Sequence, residues 1–371
     1  MFSAVDHQMM AEALSLARKG IATTQPNPRV GCVIVKNEEV IAHSWHKKAG
    51  CEHAEVLALQ QAGEQAKGAV VYVTLEPCSH HGRTPPCADA LIEGGVDEVI
   101  IAMEDPNPLV AGQGIKKLEQ AGIKVRSGLL RQQAIELNRG FVRRMKCGRP
   151  WVTVKFGTSL DGRTAMHNGE SQWITGPAAR ADVQRLRAAS SAILTGAGTV
   201  LTDDPSLTVR LNGSARQPLR VVLDSNLSIP DRAKIYSDGH PLLLATVLDE
   251  KDDRFQQLRR HGIDIHSFPA DESGRVNAKC LLQSLAADYL CNEILVEAGS
   301  VVCGKLLANE LVDEIVLYFA PVLMGSGARG MFDIPELDTM VQRIHMAVKD
   351  VRPVGKDWRF TVQPVYQSEA E

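Results

Sequence analysis

Three residues that are separated along the chain, His53, Cys78 and Cys87, could bind one metal ion together. An imidazole and two thiols fill three of the four tetrahedral positions on zinc, and an open fourth position is typical of a catalytic ion rather than a structural one. This interpretation constrains the fold strongly, because it requires both sulfurs to lie close enough to the His53 imidazole to share the ion.

The residues around these three complete a larger pattern. Glu55 follows two residues after His53, and its carboxylate can move protons for a water that the zinc activates. Pro77 stands directly before Cys78, after an apolar strand pattern. A histidine two residues before a glutamate, with a later Pro-Cys, is the signature of zinc deaminases that act on nucleobases.

The spacing of the cysteines departs from this signature, which usually ends in two cysteines on one helical turn. Here the segment 79–86 (SHHGRTPP) separates Cys78 from Cys87. Its two final prolines restrict the backbone, so we expect them to deliver Cys87 to the start of a helix, Cys87–Glu93. The rest of this polar, basic segment is predicted to arch over the metal.

Two other interpretations of these residues remain open. Buried free cysteines are common in cytosolic proteins, so Cys78 and Cys87 could be core residues near an ordinary surface histidine. A structural zinc could also be closed by His80 or His81 as its fourth ligand. The combination of H-x-E, Pro-Cys, a preceding strand and a following helix favours a catalytic site over both.

Composition bounds the class of protein. The chain has 371 residues, which suits two domains better than one core. Its 44% hydrophobic and 23% charged residues are typical of a soluble globular protein. The net charge of −3 gives the chain no overall basic character for binding nucleic acid, although a local basic patch stays open, and no apolar run is long enough to span a bilayer. We therefore expect neither nucleic acid nor a membrane as a partner.

The start of the chain and its cysteines indicate the compartment. Asp6 and Glu12 lie within an amphipathic pattern, which does not resemble a signal peptide. The eight cysteines are scattered along the sequence, so a disulfide framework is not expected. The sequence therefore predicts a protein of the reducing cytoplasm.

Hydrophobic periodicity predicts alternating strands and helices in the first half of the chain. The predicted helices span 4–19, 54–66, 115–120 and 132–146, and the predicted strands span 29–35, 40–42, 69–75, 98–102 and 123–126. The apolar strand 69–75 should be central in its sheet. The alternation predicts a mixed or parallel sheet with helices on both faces.

Cys147-Gly148-Arg149-Pro150 interrupts this pattern, and glycine and proline are strong boundary signals. We therefore predict two domains, residues 1–147 and 150–371. In the second, the predicted strands span 151–156, 192–195, 219–224, 241–247, 293–297 and 314–320, and the predicted helices span 177–189, 253–261, 278–288 and 302–309.

The second half lacks a G-x-G-x-x-G motif, so a Rossmann dinucleotide site is only weakly supported. In the turn at 297–300 (EAGS), the small residues after Glu297 would let a phosphate approach the N-terminus of the following helix, although a tight packing turn is the simpler explanation of these residues alone. Segments 159–163 and 202–205 could likewise be plain turns. Arg187 and Arg210 could bind a phosphate through their planar guanidinium groups or lie solvated.

Taken together, these segments resemble a bifunctional family of riboflavin biosynthesis, in which a pyrimidine deaminase is fused to a 5-amino-6-(5-phosphoribosylamino)uracil reductase. The matching segments are 26–31 (PNPRVG), 53–55 (HAE), 74–87 (TLEPCSHHGRTPPC), 159–164 (SLDGRT), 170–175 (ESQWIT), 199–207 (TVLTDDPSL) and 297–299 (EAG). The string at 74–87 is very specific, and it accounts for the long gap between the cysteines. Residues 211–290 match the family poorly, and only Ser225 carries an expected role there.

The resemblance implies an α/β protein, with a cytidine-deaminase-like αβα sandwich followed by a dihydrofolate-reductase-like α/β domain that uses NADPH. In the first domain it implies zinc ligands His53, Cys78 and Cys87, a proton shuttle Glu55, and substrate contacts Asn27, His46, His80 and Arg83. In the second it implies a substrate site lined by Ser171, Arg187, Leu207, Arg210 and Glu297. The implied NADPH site is lined by Gly157, Trp173, Thr199, Asp203, Ser225, Gly299, Ser300, Val301, Val302, Cys303, Gly304 and Lys305.

The implied reaction removes the amine at C2 of 2,5-diamino-6-(5-phosphoribosylamino)pyrimidin-4-one, and NADPH then reduces the ribosyl group to ribityl. Lys155 and Asp161, near the end of the first strand of the second half, are candidates to hold or protonate the sugar. Lys155 could instead lie at a solvated strand edge. The expected partner is therefore a phosphorylated pyrimidine, and we expect a homodimer or a higher homo-oligomer.

Three competing functions remain. The chain could be a zinc deaminase of another nucleobase or of RNA, but its acidic net charge weighs against a nucleic-acid substrate. It could keep the deaminase and carry a second half that only binds a ligand. Zinc could also be a structural staple in a non-catalytic protein, which would leave Glu55 without a reason to lie beside the ligand histidine.

Overall fold

The computed structural model describes residues 1–80, 85–211 and 216–366. The chain divides into two compact units, Met1–Arg149 and Pro150–Glu371. Over its described residues, the first unit has helices α1 (Ala4–Arg18), α2 (Ala54–Ala62), α3 (Cys87–Glu93), α4 (Gln113–Gln120), α5 (Arg131–Leu137) and α6 (Arg139–Cys147), and strands β1 (Gly31–Lys36), β2 (Glu39–Trp45), β3 (Val70–Val73), β4 (Glu98–Ile101) and β5 (Lys124–Ser127).

The strands of the first unit form one mixed sheet in the order β2-β1-β3-β4-β5. Strand β1 pairs antiparallel with β2 and β3, whereas β3, β4 and β5 run parallel. Consecutive residues of β1 and β4 are buried, which requires cover on both faces of the sheet. The predicted mixed sheet and the central position of the apolar strand, which is β3, are confirmed.

Helix α1 packs directly on β1. The helix begins with a capping box, in which the Ser3 hydroxyl accepts from the Asp6 N–H at 3.1 Å and the Asp6 carboxylate accepts from the Ser3 N–H at 2.8 Å. At the contact, a Cβ added to Gly31 would lie 2.0 Å from the Ala13 carbonyl oxygen. Glycine is therefore required at this position by close approach of the two backbones.

Replacing Gly31 with alanine should lower the free energy of unfolding of the first unit by about 3 kcal/mol, because α1 must move away from the sheet. Hydrogen exchange of peptides from residues 4–36 would show faster exchange. Gly327→Ala is the control, since its added methyl group meets no heavy atom within 4 Å. Unchanged protection in Gly31→Ala would contradict this account of the packing.

The prediction of one helix over 132–146 is wrong, because α5 and α6 are separate helices on either side of Asn138. The buried Asn138 amide pairs with a distant backbone: its oxygen accepts from the Arg29 N–H at 2.7 Å and its nitrogen donates to the Arg29 carbonyl at 3.0 Å. Such side-chain bonds to backbone compete with helix continuation, and the apolar period of the segment does not reveal them.

The second unit is an α/β domain that is larger than the first unit. Over its described residues, its helices are α7 (Pro177–Ala189), α8 (Ala197–Asp203), α9 (Lys234–Ser237), α10 (Asp253–Arg260), α11 (Ala278–Ala287) and α12 (Ser300–Ala308). Its strands are β6 (Trp151–Ser159), β7 (Arg163–Ala165), β8 (Ala192–Gly196), β9 (Leu219–Leu223), β10 (Leu242–Thr246), β11 (Asp264–Ser267), β12 (Glu293–Val296), β13 (Glu314–Ala320), β14 (Arg329–Gly330), β15 (His345–Val354) and β16 (Asp357–Val365).

The main sheet of this unit has the order β11-β10-β9-β8-β12-β6-β13-β16-β15. The strands from β11 to β13 are parallel, and the hairpin β15–β16 adds to them antiparallel. The sequence pattern predicted no element after residue 320, because β15 is exposed along nearly its whole length and lacks an apolar alternation. None of the helices in the described ranges is long and apolar enough to cross a membrane.

Candidate active sites

Three local structures of the first unit bring His53, Cys78 and Cys87 together. His53 is the N-cap residue of α2, Cys87 is the first residue of α3, and Cys78 lies in the loop after β3. Pro86 has an extended backbone (φ −60°, ψ 135°) directly before α3. The predicted delivery of Cys87 to a helix start by the two prolines is confirmed.

The three side chains fit a zinc ion. The His53 Nδ1 atom lies 3.2 Å from the Cys87 sulfur and 3.6 Å from the Cys78 sulfur, and the three donor atoms all lie within 4.8 Å of one another. Ordinary zinc–sulfur and zinc–nitrogen bonds in a tetrahedron place such ligands roughly 3.6 Å apart. A hydrogen bond with Cys87 lowers the pKa of Cys78, which favours the thiolate that metals bind. This geometry excludes the interpretation as unrelated core cysteines.

The residues proposed to close or cover the metal are only partly described. Within the part of the chain that the structure describes, the three-donor group does not include His80, which is exposed. His81 and Arg83 lie outside the described residues, as does the middle of the segment predicted to arch over the metal. The described donors therefore leave a tetrahedral ion one position for water or substrate.

Glu55 lies in the first turn of α2, beside the metal-binding group. Its side chain is buried, and burial raises the pKa of Glu55 to about 7. It shares a hydrogen bond with the Cys87 thiol, yet it is not a member of the three-donor group. A carboxyl group with a pKa near neutrality can both accept and return a proton, as a proton shuttle must.

Asn27 and His46 form a hydrogen-bonded chain next to the same group. The His46 Nδ1 atom lies 3.1 Å from the Glu52 carbonyl oxygen, so it donates there and leaves Nε2 to accept from the Asn27 amide at 3.1 Å. The His46 ring meets the His53 ring edge to face at 5.3 Å between centroids. His46 is 2% exposed, whereas Asn27 is only partly buried and is the more accessible of the two.

The second unit contains a cavity of about 1540 Å³ near the carboxyl ends of its parallel strands. Open parallel sheets bind ligands at this edge. All of the predicted substrate residues of this unit line the cavity: Lys155, Ser171, Arg187, Leu207, Arg210 and Glu297. Ten of the predicted cofactor residues also line it: Gly157, Trp173, Thr199, Asp203, Ser225, Gly299, Ser300, Val301, Val302 and Lys305.

Two residues predicted for the cofactor site, Cys303 and Gly304, do not line the cavity. They lie on the buried side of α12, where the Cys303 thiol donates to the Ala298 carbonyl at 3.4 Å and Gly304 packs against the backbone of Asp333. The helix begins at Ser300, two residues earlier than predicted, so Ser300 and Val301 belong to its first turn and line the cavity there. A phosphate could bind at this N-terminus.

A carboxylate with only 9% of its side chain exposed, Glu297, forms the polar centre of the cavity together with two cations. Glu297 accepts from Arg187 through two parallel bonds of 2.5 and 3.1 Å and pairs with the Lys155 ammonium at 3.0 Å. Burial alone would raise the pKa of Glu297, but the charges of Lys155 and Arg187 hold it at about 2. Lys155 is therefore on a central strand in an ion pair, and its interpretation as a solvated strand edge is wrong.

The two arginines considered for phosphate binding differ in their surroundings. The Arg187 guanidinium is engaged by Glu297 and donates further to the Thr208 carbonyl at 3.0 Å. Arg210 is exposed and lines the cavity, so it is the better placed to reach a phosphate. Asp161 is not among the cavity-lining residues, because its carboxylate instead accepts from the backbone N–H groups of Met324 and Gly325.

Residues 273–276 form a further wall of the cavity, which no sequence motif indicated. The N–H of Val276 donates to the Ser225 hydroxyl at 3.2 Å, and Asp271 accepts from the N–H groups of Ser273 and Arg275 in a tight turn. This wall lies in the segment 211–290, which matched the family poorly. The Asp-x-Ser-Gly composition of the turn predicts its shape but not its place in the fold.

Two family models match the chain, one in each of its units. The model of the cytidine and deoxycytidylate deaminase zinc-binding region matches residues 3–103, and the model of the RibD C-terminal domain matches residues 150–360. The riboflavin biosynthesis protein RibD of Escherichia coli K12 is 47% identical over 364 residues, which cover 95% of this chain and 97% of that protein. The chain belongs to the RibD family. RibD of Bacillus amyloliquefaciens is 42% identical over 97% of this chain and 96% of its own length.

Solved structures of RibD proteins share the fold over nearly the whole chain. One form of Acinetobacter baumannii RibD is 43% identical, with a TM-score of 0.90 over 98% of this chain and 99% of its own. A diaminohydroxyphosphoribosylaminopyrimidine deaminase/5-amino-6-(5-phosphoribosylamino)uracil reductase from Thermotoga maritima is 32% identical, with a TM-score of 0.86 over 97% and 99%. The chain is thus a bifunctional zinc deaminase and NADPH-dependent reductase of riboflavin biosynthesis, with a cytidine-deaminase-like unit before a reductase-like unit.

Proposed function

We propose that the first unit deaminates 2,5-diamino-6-(5-phosphoribosylamino)pyrimidin-4-one at C2 and that the second unit then reduces the ribosyl group of the product. The observation that carries this proposal is the presence of two chemically different sites. One has a buried carboxyl group, Glu55, beside a three-donor zinc group. The other is a large cavity in which the largely buried Glu297 is paired with two cations.

In the deaminase site, zinc bound by His53, Cys78 and Cys87 would supply the Lewis acidity that activates a water. Glu55 takes up the proton of that water, delivers it to a ring nitrogen and then helps to protonate the departing amine. This role needs a carboxylate close to the metal ligands but outside the donor set, which is where Glu55 lies. Next to the same three-donor group, Asn27 contacts the pyrimidine, and His46 orients the Asn27 amide.

In the reductase site, NADPH would supply the hydride that reduces C1′ of the opened sugar. Lys155 holds or protonates the sugar oxygen, and Glu297 keeps the Lys155 ammonium charged and oriented. Arg210 binds the substrate phosphate, since the Arg187 guanidinium is engaged by Glu297. The first turn of α12, from Ser300, binds a cofactor phosphate through N–H groups that have no acceptor within the helix itself.

Removal of zinc should separate the two activities. After chelation, the full-length protein should release no ammonia from the diaminopyrimidinone phosphate, because the water is no longer activated. NADPH oxidation, followed at 340 nm with the deaminated substrate, should continue at an unchanged rate. Restored zinc should restore ammonia release. Deamination that survives chelation would contradict the proposed site, and absent NADPH oxidation in the untreated protein would contradict the reductase.

We also propose that the protein is a cytoplasmic homodimer or higher homo-oligomer. The location is supported by the biosynthetic role of the RibD relatives and by the absence of a membrane-crossing helix from the described residues. The oligomer is proposed from the resemblance to the reductase family alone. Light scattering coupled to size-exclusion chromatography would test it, and a monomeric mass across micromolar concentrations would contradict it.

A further inference from the structure

Glu76 lies two residues before the metal donor Cys78 and is 5% exposed. One of its carboxylate oxygens accepts from the N–H groups of Asp105 and Gly112, both at 3.0 Å. The other accepts from Gly114 at 2.9 Å and Ile115 at 3.3 Å. A single side chain thus satisfies four backbone donors, three of them at the start of α4, where N–H groups have no partner within the helix.

The backbone of the same short segment is fixed to the same neighbours. The Glu76 N–H donates to the Met103 carbonyl at 2.9 Å. Pro77 lies against Gly114 so closely that an added Cβ there would be 2.0 Å from the Pro77 carbonyl oxygen. Residues 76 and 77 are therefore held by a side chain, a main-chain bond and direct packing, and Cys78 is the next residue along the chain.

On its other side, Cys78 is held by the start of α3. The Cys87 N–H donates to the Cys78 sulfur at 3.3 Å, and the Ala88 N–H donates to the Cys78 carbonyl at 3.1 Å. These bonds fix Cys78 relative to Cys87 but not relative to the segment 103–115. The four hydrogen bonds of the Glu76 carboxylate connect the residues just before Cys78 to the segment 103–115. Hydrogen bonds from backbone N–H groups to a charged carboxylate are strong.

We propose that Glu76 is a positioning residue, which sets the place of the Cys78 sulfur relative to His53 and Cys87 and thereby the zinc affinity of the deaminase site. Groups that orient metal ligands typically change metal affinity or activity by 10- to 100-fold when they are replaced. The inference rests on the proposed zinc site. The two can fail separately, because wild-type protein that binds no zinc would refute the site, whereas unaltered zinc binding by a Glu76 variant would refute only the role of Glu76.

The test is Glu76→Gln in the full-length protein, since the amide nitrogen cannot accept and leaves two backbone donors without an acceptor. Competition with a chromophoric chelator should give a zinc Kd that is roughly 10- to 100-fold weaker. With Co²⁺ in place of zinc, the sulfur-to-cobalt absorption band should shift or weaken. Deamination kcat should fall about 10-fold with KM nearly unchanged, and NADPH oxidation should not change.

The matched control is Asp6→Asn, which also converts a buried carboxylate of the first unit to an amide. Asp6 accepts from Ser3, Tyr72 and Arg126 and is remote in sequence from the metal donors. Its variant should bind zinc like the wild type even though it also loses stability. Equal weakening in both variants, or none in Glu76→Gln, would overturn the proposal. If Glu76→Gln does not fold, Glu76→Asp decides: intermediate weakening supports the proposal, and wild-type affinity overturns it.

Discussion

Replacement of Glu55 by glutamine should lower the kcat of deamination about 1000-fold, within the range that general acid–base groups contribute. Glutamine keeps the size of the buried side chain in the first turn of α2 but cannot take up a proton. Zinc content should remain unchanged, because Glu55 lies outside the three-donor group. Ammonia release, zinc content and NADPH oxidation should all be measured on the same purified protein.

The matched control is Glu64→Gln, which removes the same charge from an exposed position just after α2. This variant should deaminate at the wild-type rate. Near-normal turnover in Glu55→Gln would show that another group moves the proton. Loss of zinc together with loss of activity would show instead that Glu55 supports metal binding. An unchanged NADPH oxidation rate confirms that the second unit is intact in each variant.

Replacement of Glu297 by glutamine should abolish reductase activity and lower the free energy of unfolding of the second unit by about 3 kcal/mol. The variant leaves the positive charges of Lys155 and Arg187 without their carboxylate partner. Only 18% of the Lys155 side chain and 11% of the Arg187 side chain are exposed, so water cannot replace that partner. Breaking a buried ion pair on one side costs more than the net value of the pair, because the remaining charge stays desolvated. Hydrogen exchange of peptides from β6 and β12 would measure the loss.

A double variant separates the electrostatic cost from the chemistry. Lys155→Met combined with Glu297→Gln removes one of the two uncompensated cations, so it should recover part of the lost stability relative to Glu297→Gln alone. Reductase activity should stay absent, because Lys155 is proposed to act on the sugar. Deamination should be normal in all of these proteins. Additive destabilisation in the double variant would contradict the ion-pair account, and retained NADPH oxidation would contradict the roles of both residues.

The metal site could be predicted from sequence because its determinants are local. Each donor is placed by a signal within a few residues: His53 by the start of an apolar helix, Cys87 by two prolines, and Cys78 by the end of an apolar strand. In an α/β fold the strands form the central sheet and the helices pack on its faces, so each of these three elements has an approximate place. The meeting of the three therefore follows once the sheet order is guessed correctly.

Pairings between distant residues could not be read in the same way. Nothing near Arg187 in the sequence distinguishes it from Arg210, yet Arg187 is engaged by Glu297 and Arg210 is exposed. Likewise, no local pattern reveals that Asn138 pairs with the backbone of Arg29 and so divides a helix. In each case the deciding contact joins segments more than 100 residues apart.

The hairpin at the end of the main sheet has a consequence for how the protein behaves when crowded. A long exposed edge strand is a template for the stacking of one molecule on the next into fibrils, because its backbone groups can pair with another chain. Strand β15 opposes this with Lys349, Asp350 and Arg352, with Pro353, and with a shift of register between Val348 and Asp350. Charges repel a docking chain, proline withholds a donor, and the irregularity bends the border. These features of β15 therefore oppose the pairing of one molecule with the next through this strand.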